Sequence, residues 1–420
     1  MEQLLRPYGV VVDGRLELGL ELLLLEGIIR EVRPHTGIPE PYVISTAFVN
    51  AHSHLEYRGL QGKLGTQDYW PWIREITLAK RDQTIASVSE DSRVGARENR
   101  ATGVAAIAEH SDRPVAGKAM ADAGLSGVLF QEVITRFEAD GPEERLARAT
   151  ADCLRQGLEA NCRSFLSPHA YQTVDETTLR WIGSGGQPFS IHVAETDLES
   201  QLTLDGTGAI ADTFRELGLR FRPAGKRLIP TLDDLGLVNP RAQFVHCCAL
   251  DLTDIALLAE RGVSVAHCPR SNRNLRCPTS PVREMLDAGV KVGLGLDSAA
   301  SSGPIDMFDE MRCALDVSAE RGRPLTPEEA WGLATHLGAD SLRFARTGTT
   351  RLANPRRVIG PSHQAAHSRR ANNRRFNRLG QTGVGRVGLL ISDFVLREAA
   401  RSKRKRRASP APTRGCNLSP

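Results

Sequence analysis

From residue 48 to about 345 the chain alternates short apolar runs with stretches rich in Ala, Leu, Arg and Glu, and few folds accept that pattern. The runs at 101–108, 127–133, 164–168, 189–194, 243–247, 263–267 and 290–296 read as strands, and 144–159, 251–261 and 280–288 as helices. Strands separated by helices predict parallel βα units. Residues able to do chemistry repeatedly follow the C-terminal end of a run, which is where (β/α)8 barrels carry their active sites. The first 47 residues differ. There 9–12, 16–25 and 28–32 read as short strands, with Asp13-Gly14 as a hairpin turn.

The run that opens the alternation is Phe48-Val49-Asn50-Ala51-His52-Ser53-His54. Residues i and i+2 of a strand share a face, so both imidazoles leave the strand end together, as two ligands of one metal ion would. Three later runs end in comparable groups: Ile191-His192-Val193-Ala194-Glu195, Phe244-Val245-His246, and Val292–Asp297. His52, His54 and His192 with Asp297 make a nitrogen-rich, borderline-hard donor set that suits one divalent transition metal, Zn²⁺ or Fe²⁺, with a position left for water. A cation there lowers the pKa of a bound water from about 15.7 toward roughly 7. Glu195, three residues after His192, is placed to shuttle protons between that water and a leaving group. His246 is a candidate to orient the water or polarise the bond under attack, and Asp297 a candidate to accept its proton as well as bind the metal.

Charge is unevenly distributed. Residues 351–420 carry 17 Lys/Arg against two acids, which leaves 37 basic and 48 acidic residues for 1–350, so the body is acidic and the nominal excess of base belongs to the tail. Apolar runs stay short of membrane-spanning length; the Leu-rich stretch from Leu16 to Ile29 is interrupted by Glu17, Glu21 and Glu26. The start lacks the basic-then-apolar pattern of a secretory signal. Eight scattered cysteines form no spacing framework and read as reduced thiols. Together these predict a cytoplasmic enzyme. Beyond about residue 346 the periodicity ends, apart from an apolar run at 387–391, and 347–420 reads as a disordered basic tail. Its 402–407 cluster also fits a nucleic-acid-binding segment, but a solvated tail is the simpler reading. The expected partner is a small-molecule substrate, with no nucleic acid and no membrane; a homodimer is compatible.

At these motifs the chain resembles the amidohydrolase superfamily, in its deaminase and chlorohydrolase branch. The matching stretches are Phe48–Glu56, Ser167–Tyr171, His192–Thr196, His246-Cys247, His267–Asn272 and Gly295–Ser298, within a likeness that spans roughly 5–345. The resemblance implies a distorted (β/α)8 barrel over 48–346, a small β-sandwich built from both chain ends with 1–47 as its first part, and one catalytic metal. By position it makes His52, His54, His192 and Asp297 ligands, Glu195 the proton shuttle, His246 the polarising histidine and His169 a substrate contact. Binuclear members bridge two ions with a carboxylated lysine on the third or fourth strand; 130–133 and 165–171 hold no lysine, so a single ion is expected.

Within the branch, Asn50–Glu56, Tyr69–Ile73, His267–Asn272 and Asp297–Met311 look most like aminodeoxyfutalosine deaminases, which replace the exocyclic amine of a 6-aminopurine with oxygen on a route to menaquinone. Lys80 and Arg81 would then face a substrate carboxylate, and Trp72 would line the site unless it packs in the core. S-adenosylhomocysteine or adenosine deamination is the alternative, followed by guanine or triazine chemistry such as a chlorohydrolase; a silent scaffold with a nucleic-acid-binding tail is the non-enzyme reading. The basic tail replaces the closing strands usual in the family, as a shifted reading frame would. An incomplete sandwich is expected from it, and the encoding DNA tests that.

Overall fold

The computed structural model describes residues 2–26, 28–136 and 141–342. The expectations for the basic tail, its 387–391 run and the closing part of the sandwich lie outside these residues.

The N-terminal part is two three-stranded sheets. Strands β1 (Glu2–Leu5), β4 (Leu20–Leu25) and β5 (Ile28–Pro34) form one, ordered β1-β4-β5; β2 (Pro7–Val12), β3 (Arg15–Leu18) and β6 (Glu40–Ile44) form the other, ordered β3-β2-β6. Leu5, Val10, Leu22, Leu24 and Ile44 fill the space between them. The Asp13-Gly14 turn forms as expected, both residues at positive φ, joining β2 to β3. The expected single strand at 16–25 is instead two. Gly19, at φ +74°, breaks it, so β3 pairs with β2 while β4 crosses to the other sheet.

Eight parallel strands follow: β7 (Phe48–Ser53), β8 (Val104–Ser111), β9 (Ser126–Val133), β10 (Arg163–Pro168), β11 (Phe189–Val193), β12 (Ala242–His246), β13 (Ser264–His267) and β14 (Lys291–Leu294). They make two four-stranded sheets, β10-β9-β8-β7 and β11-β12-β13-β14, in parallel register throughout. Two isolated parallel bridges close them into a barrel, Ser53 with Asp297 on one seam and Ala170 with His192 on the other. Each seam is therefore held by a residue already singled out as a metal ligand. The barrel is the α/β fold the alternation predicts, distorted because it closes by single bridges instead of full ladders.

Strand limits differ from expectation by one to three residues. The largest shift is at β8, where Ala101 belongs to the preceding helix (Ile85–Ala101) and Gly103, at φ +98°, makes the turn into the strand. Gly127 shows how tightly the barrel wall is drawn: a Cβ there would lie 1.8 Å from the carbonyl oxygen of Ile107, and φ is +138°. Only glycine fits. Asp251 caps the helix Leu252–Arg261 by accepting from the Asp254 amide at 2.8 Å. Among the described residues no helix is long and apolar enough to cross a membrane, and all seven cysteines are free thiols.

Candidate active site and metal centre

The site is assembled where strand ends bend. Ala194 after β11, His246 at the end of β12, Cys247, and Asp297 just past β14 all hold φ between +50° and +73°, a left-handed backbone that costs side-chain-bearing residues about 1–3 kcal/mol each. The bends stop the ladders and turn the following groups inward. Asn50, buried in β7, locks two of the elements together: its Oδ1 accepts from the Leu296 amide at 2.8 Å, and its Nδ2 donates to Asn99 Oδ1 at 3.0 Å. Gly295 lets β14 approach; a Cβ there would lie 2.7 Å from His52 Cβ and 2.8 Å from Cys268 Sγ.

His52, His54, His192 and Asp297 converge. His54 Nε2 and His192 Nε2 lie 3.3 Å apart, and His52 Nε2 lies 3.6 Å from Asp297 Oδ1. The other nitrogens of two rings are committed: His54 Nδ1–H donates to the His110 carbonyl at 3.0 Å, and His192 Nδ1–H to the His169 carbonyl at 2.8 Å. Those bonds leave both Nε2 atoms as bare lone pairs pointing at each other. His52 Nε2 is likewise buried without a hydrogen-bond partner among the described residues. Lone pairs brought this close repel unless a cation lies between them, so the residues present fit a divalent metal, held by three imidazoles and a carboxylate. Burial, with the neighbouring imidazoles, drives His52 and His54 well below the usual histidine range, and burial with His246 brings His192 down to about 4. All three are the neutral rings that metal binding requires.

Glu195 stands beside this set with Oε2 3.5 Å from His246 Nε2. Burial, then Asp297 and Glu199, push its carboxyl well above the ordinary carboxylate range. His246 Nδ1 lies 2.8 Å from Asn272 Oδ1, which selects the Nδ1–H tautomer and leaves Nε2 facing the centre as an acceptor. Burial works against the charge of Asp297, but the imidazoles of His246 and His54 outweigh it, and its Oδ2 accepts from Ser301 Oγ at 3.1 Å. His169 follows β10 at the same rim, its ring centroid 4.9 Å from that of His192.

Two expected substrate contacts are placed elsewhere. Trp72 is buried with Tyr69, Trp70 and Ile76 on the core face of the helix Tyr69–Arg81. Arg81 is in the exposed last turn of that helix. The inward-facing cation is Lys80, already paired with Asp112 at 2.7 Å and donating to the Tyr57 hydroxyl at 2.8 Å. Sequence reasoning passed over several residues. His110 Nδ1 lies 3.0 Å from His52 Nδ1, and the hydroxyl of Tyr69 sits beside Glu195. Glu132, at the end of β9 where a bridging lysine was sought, lies 3.7 Å from His192 Nδ1 with both carboxyl oxygens buried and without a hydrogen-bond partner among the described residues. The signal that could have found Glu132 and His110 is the one that found His52: a polar side chain at the C-terminal end of an apolar run.

Known proteins resemble this chain in sequence and in fold. The sequence model of the Amidohydrolase family matches residues 43–351. A 5-methylthioadenosine/S-adenosylhomocysteine deaminase of Natronomonas pharaonis is 31% identical over 73% of this chain and 70% of its own. A 5′-deoxyadenosine deaminase of Methanopyrus kandleri is 30% identical over 66% of this chain and 62% of its own. Among solved structures, an adenosine deaminase from Xanthomonas campestris with bound zinc superposes with a TM-score of 0.68 at 21% identity, covering 97% of this chain and 98% of that one. Helicobacter pylori aminofutalosine deaminase gives 0.69 at 16% identity over 84% and 91%. The structural likenesses show the barrel fold, and the family match covers most of the chain.

Proposed function

We propose that this chain, which belongs to the amidohydrolase family, is a metal-dependent hydrolytic deaminase of a 6-aminopurine nucleoside. The observation that carries the reading is the convergence of His52, His54, His192 and Asp297 with the Glu195 carboxyl at their side. His52, His54, His192 and Asp297 would hold a divalent metal, zinc or iron, which would supply Lewis-acid activation of a water. Glu195 is the group that moves protons: it takes one from the attacking water, gives it to a ring nitrogen, and carries another to the departing amine. His246 Nε2 accepts a hydrogen bond from the water and orients it. Across the reaction a C–O bond forms at the amine-bearing carbon, its C–N bond breaks, and ammonia leaves. His169 at the rim contacts the substrate.

For the nucleoside, two readings stand. Aminodeoxyfutalosine follows from the sequence motifs. Adenosines altered at the 5′ position follow from the named relatives, and they gain weight because Lys80 is already neutralised by Asp112 and so is not free for a substrate carboxylate. A cytoplasmic location accompanies either reading. The test is a panel of aminopurine nucleosides scored for ammonia, with bound zinc and iron quantified. Aminodeoxyfutalosine outpacing the 5′-thio- and 5′-deoxyadenosines selects the first reading, and the reverse order the second. A zinc-loaded protein that liberates ammonia from none of them, or chloride from a chlorinated ring instead, overturns the proposal.

A further inference from the structure

His110 of β8 stands beside His52 of the neighbouring β7, and a single proton lies between the two rings. Their Nδ1 atoms are 3.0 Å apart and the ring centroids 4.2 Å. Two nitrogens at that distance form a hydrogen bond only when one carries hydrogen and the other a bare lone pair. Both rings are buried, at 0% and 1% exposure, which disfavours an imidazolium, so each neutral ring has one proton to place. Neither Nε2 atom has a hydrogen-bond partner among the described residues.

Two arrangements satisfy this pair. In one, His110 Nδ1–H donates to His52 Nδ1; His52 keeps its own proton on Nε2, 3.6 Å from Asp297 Oδ1, and has no lone pair for a cation. In the other, His52 Nδ1–H donates to His110 Nδ1, the His110 proton is on its Nε2, and His52 Nε2 is bare. Only the second lets His52 ligate, because a metal takes the lone pair of a neutral imidazole. The Ala108 carbonyl, 3.3 Å from His110 Nδ1, can also accept a proton from that nitrogen and so favours the first. A cation at His52 Nε2 reverses the preference, and His110 is then the acceptor for the proton on His52 Nδ1.

The same residue reaches the other imidazole of the run. The His110 carbonyl accepts from His54 Nδ1–H at 3.0 Å, so one position of β8 orients both His52 and His54. Its register opposite Phe130 in β9, with the two ring centroids 5.0 Å apart, keeps it in place. The carbonyl belongs to the backbone and survives any substitution at 110, whereas the ring nitrogen does not. We propose that His110 is a positioning residue of the metal centre, whose Nδ1 accepts the His52 Nδ1 proton and fixes His52 in the tautomer able to take a divalent ion. The proposal rests on reading His52, His54, His192 and Asp297 as that centre.

Two substitutions separate the hydrogen bond from the packing. His110→Asn keeps an acceptor oxygen close to the place of Nδ1, and His110→Leu keeps bulk without an acceptor; both retain the carbonyl that holds His54. Zinc affinity, titrated against a chelating indicator, should fall by about 10- to 100-fold in His110→Leu and stay within about threefold of wild type in His110→Asn, as expected when a ligand's hydrogen-bond partner is removed or replaced. Far-ultraviolet circular dichroism should be unchanged in both. Neutron diffraction from the zinc-loaded wild type should place deuterons on His52 Nδ1 and His110 Nε2 and none on His110 Nδ1. That measurement needs no variant and decides the matter even where His110→Leu fails to fold. The proposal is overturned if His110→Leu binds zinc as tightly as wild type, if His110→Asn loses as much affinity as His110→Leu, or if the deuteron is on His110 Nδ1. Wild type that takes up neither zinc nor iron defeats the metal-centre reading itself, whereas zinc bound with His110 Nδ1 deuterated defeats this inference alone.

Discussion

Glu195 and Gly295 separate the two things a residue can do here, chemistry and space. Glu195 lies next to the ligand set without belonging to it, so Glu195→Gln should keep its metal and lose activity by about 10²- to 10⁴-fold, the usual worth of a proton carrier. Metal analysis alongside kcat checks this; a variant that loses zinc and activity together would make Glu195 a ligand. Gly295 contributes nothing chemically, yet its missing Cβ is the space that His52 Cβ and the His52 amide occupy, at 2.7 and 3.1 Å from where that atom would be. Neither is the flexible end of a side chain, so the strand must move. Gly295→Ala should therefore displace His52 and reduce zinc affinity by about 10- to 100-fold, as loss of a ligand's supporting geometry does, with the overall fold retained. Titration with a zinc indicator and far-ultraviolet circular dichroism would show both halves of that outcome.

At the scale of elements, the N-terminal sheets are pinned by a buried carboxylate. Glu21 of β4 accepts from Arg33 Nε at 2.7 Å, from Arg6 Nε at 3.2 Å and from Thr36 Oγ1 at 2.9 Å. The Arg33 hydrogen bond, supported by Thr36 and Arg6 and opposed by burial, brings its carboxyl from the ordinary 4.5 to about 2. A carboxylate whose folded pKa is depressed stabilises fully above its unfolded pKa, and that contribution disappears as pH falls through the folded value. The difference in melting temperature between wild type and Glu21→Gln should be constant above about pH 5, shrink from pH 4.5 downward, and vanish near pH 2. A calorimetric series over that interval would show it; a difference independent of pH would mean that Glu21 acts through packing alone. The same stretch explains why local reading ran two strands together. Leu16 to Leu25 keeps every second residue apolar across Gly19, and only the sheet assignment on either side of that glycine reveals a corner.

For the whole molecule, the ligand set reaches across the barrel: His52 and His54 come from β7 and the loop after it, His192 from β11, and Asp297 from just past β14. Both seams between the half-barrels, Ser53–Asp297 and Ala170–His192, end at the metal site. A bound ion therefore ties the two sheets, and its removal by chelation should lower the melting temperature. At a free zinc concentration a hundredfold above Kd the loss is about 2.7 kcal/mol, and re-addition of zinc should restore it. An unchanged melting temperature in a zinc-depleted sample would show that the seams close without the ion.

The alternation of strand and helix, and the delivery of His52, His54, His192, Glu195, His246 and Asp297 to strand ends, were legible along the chain because strand periodicity is a local property: backbone geometry alone decides which neighbours share a face. What Trp72, Lys80 and Arg81 face depends instead on how one helix rests against segments far away in sequence. So do the pairing of Asn272 with His246 and the bare oxygens of Glu132, since burial and partner choice exist only after distant elements have packed.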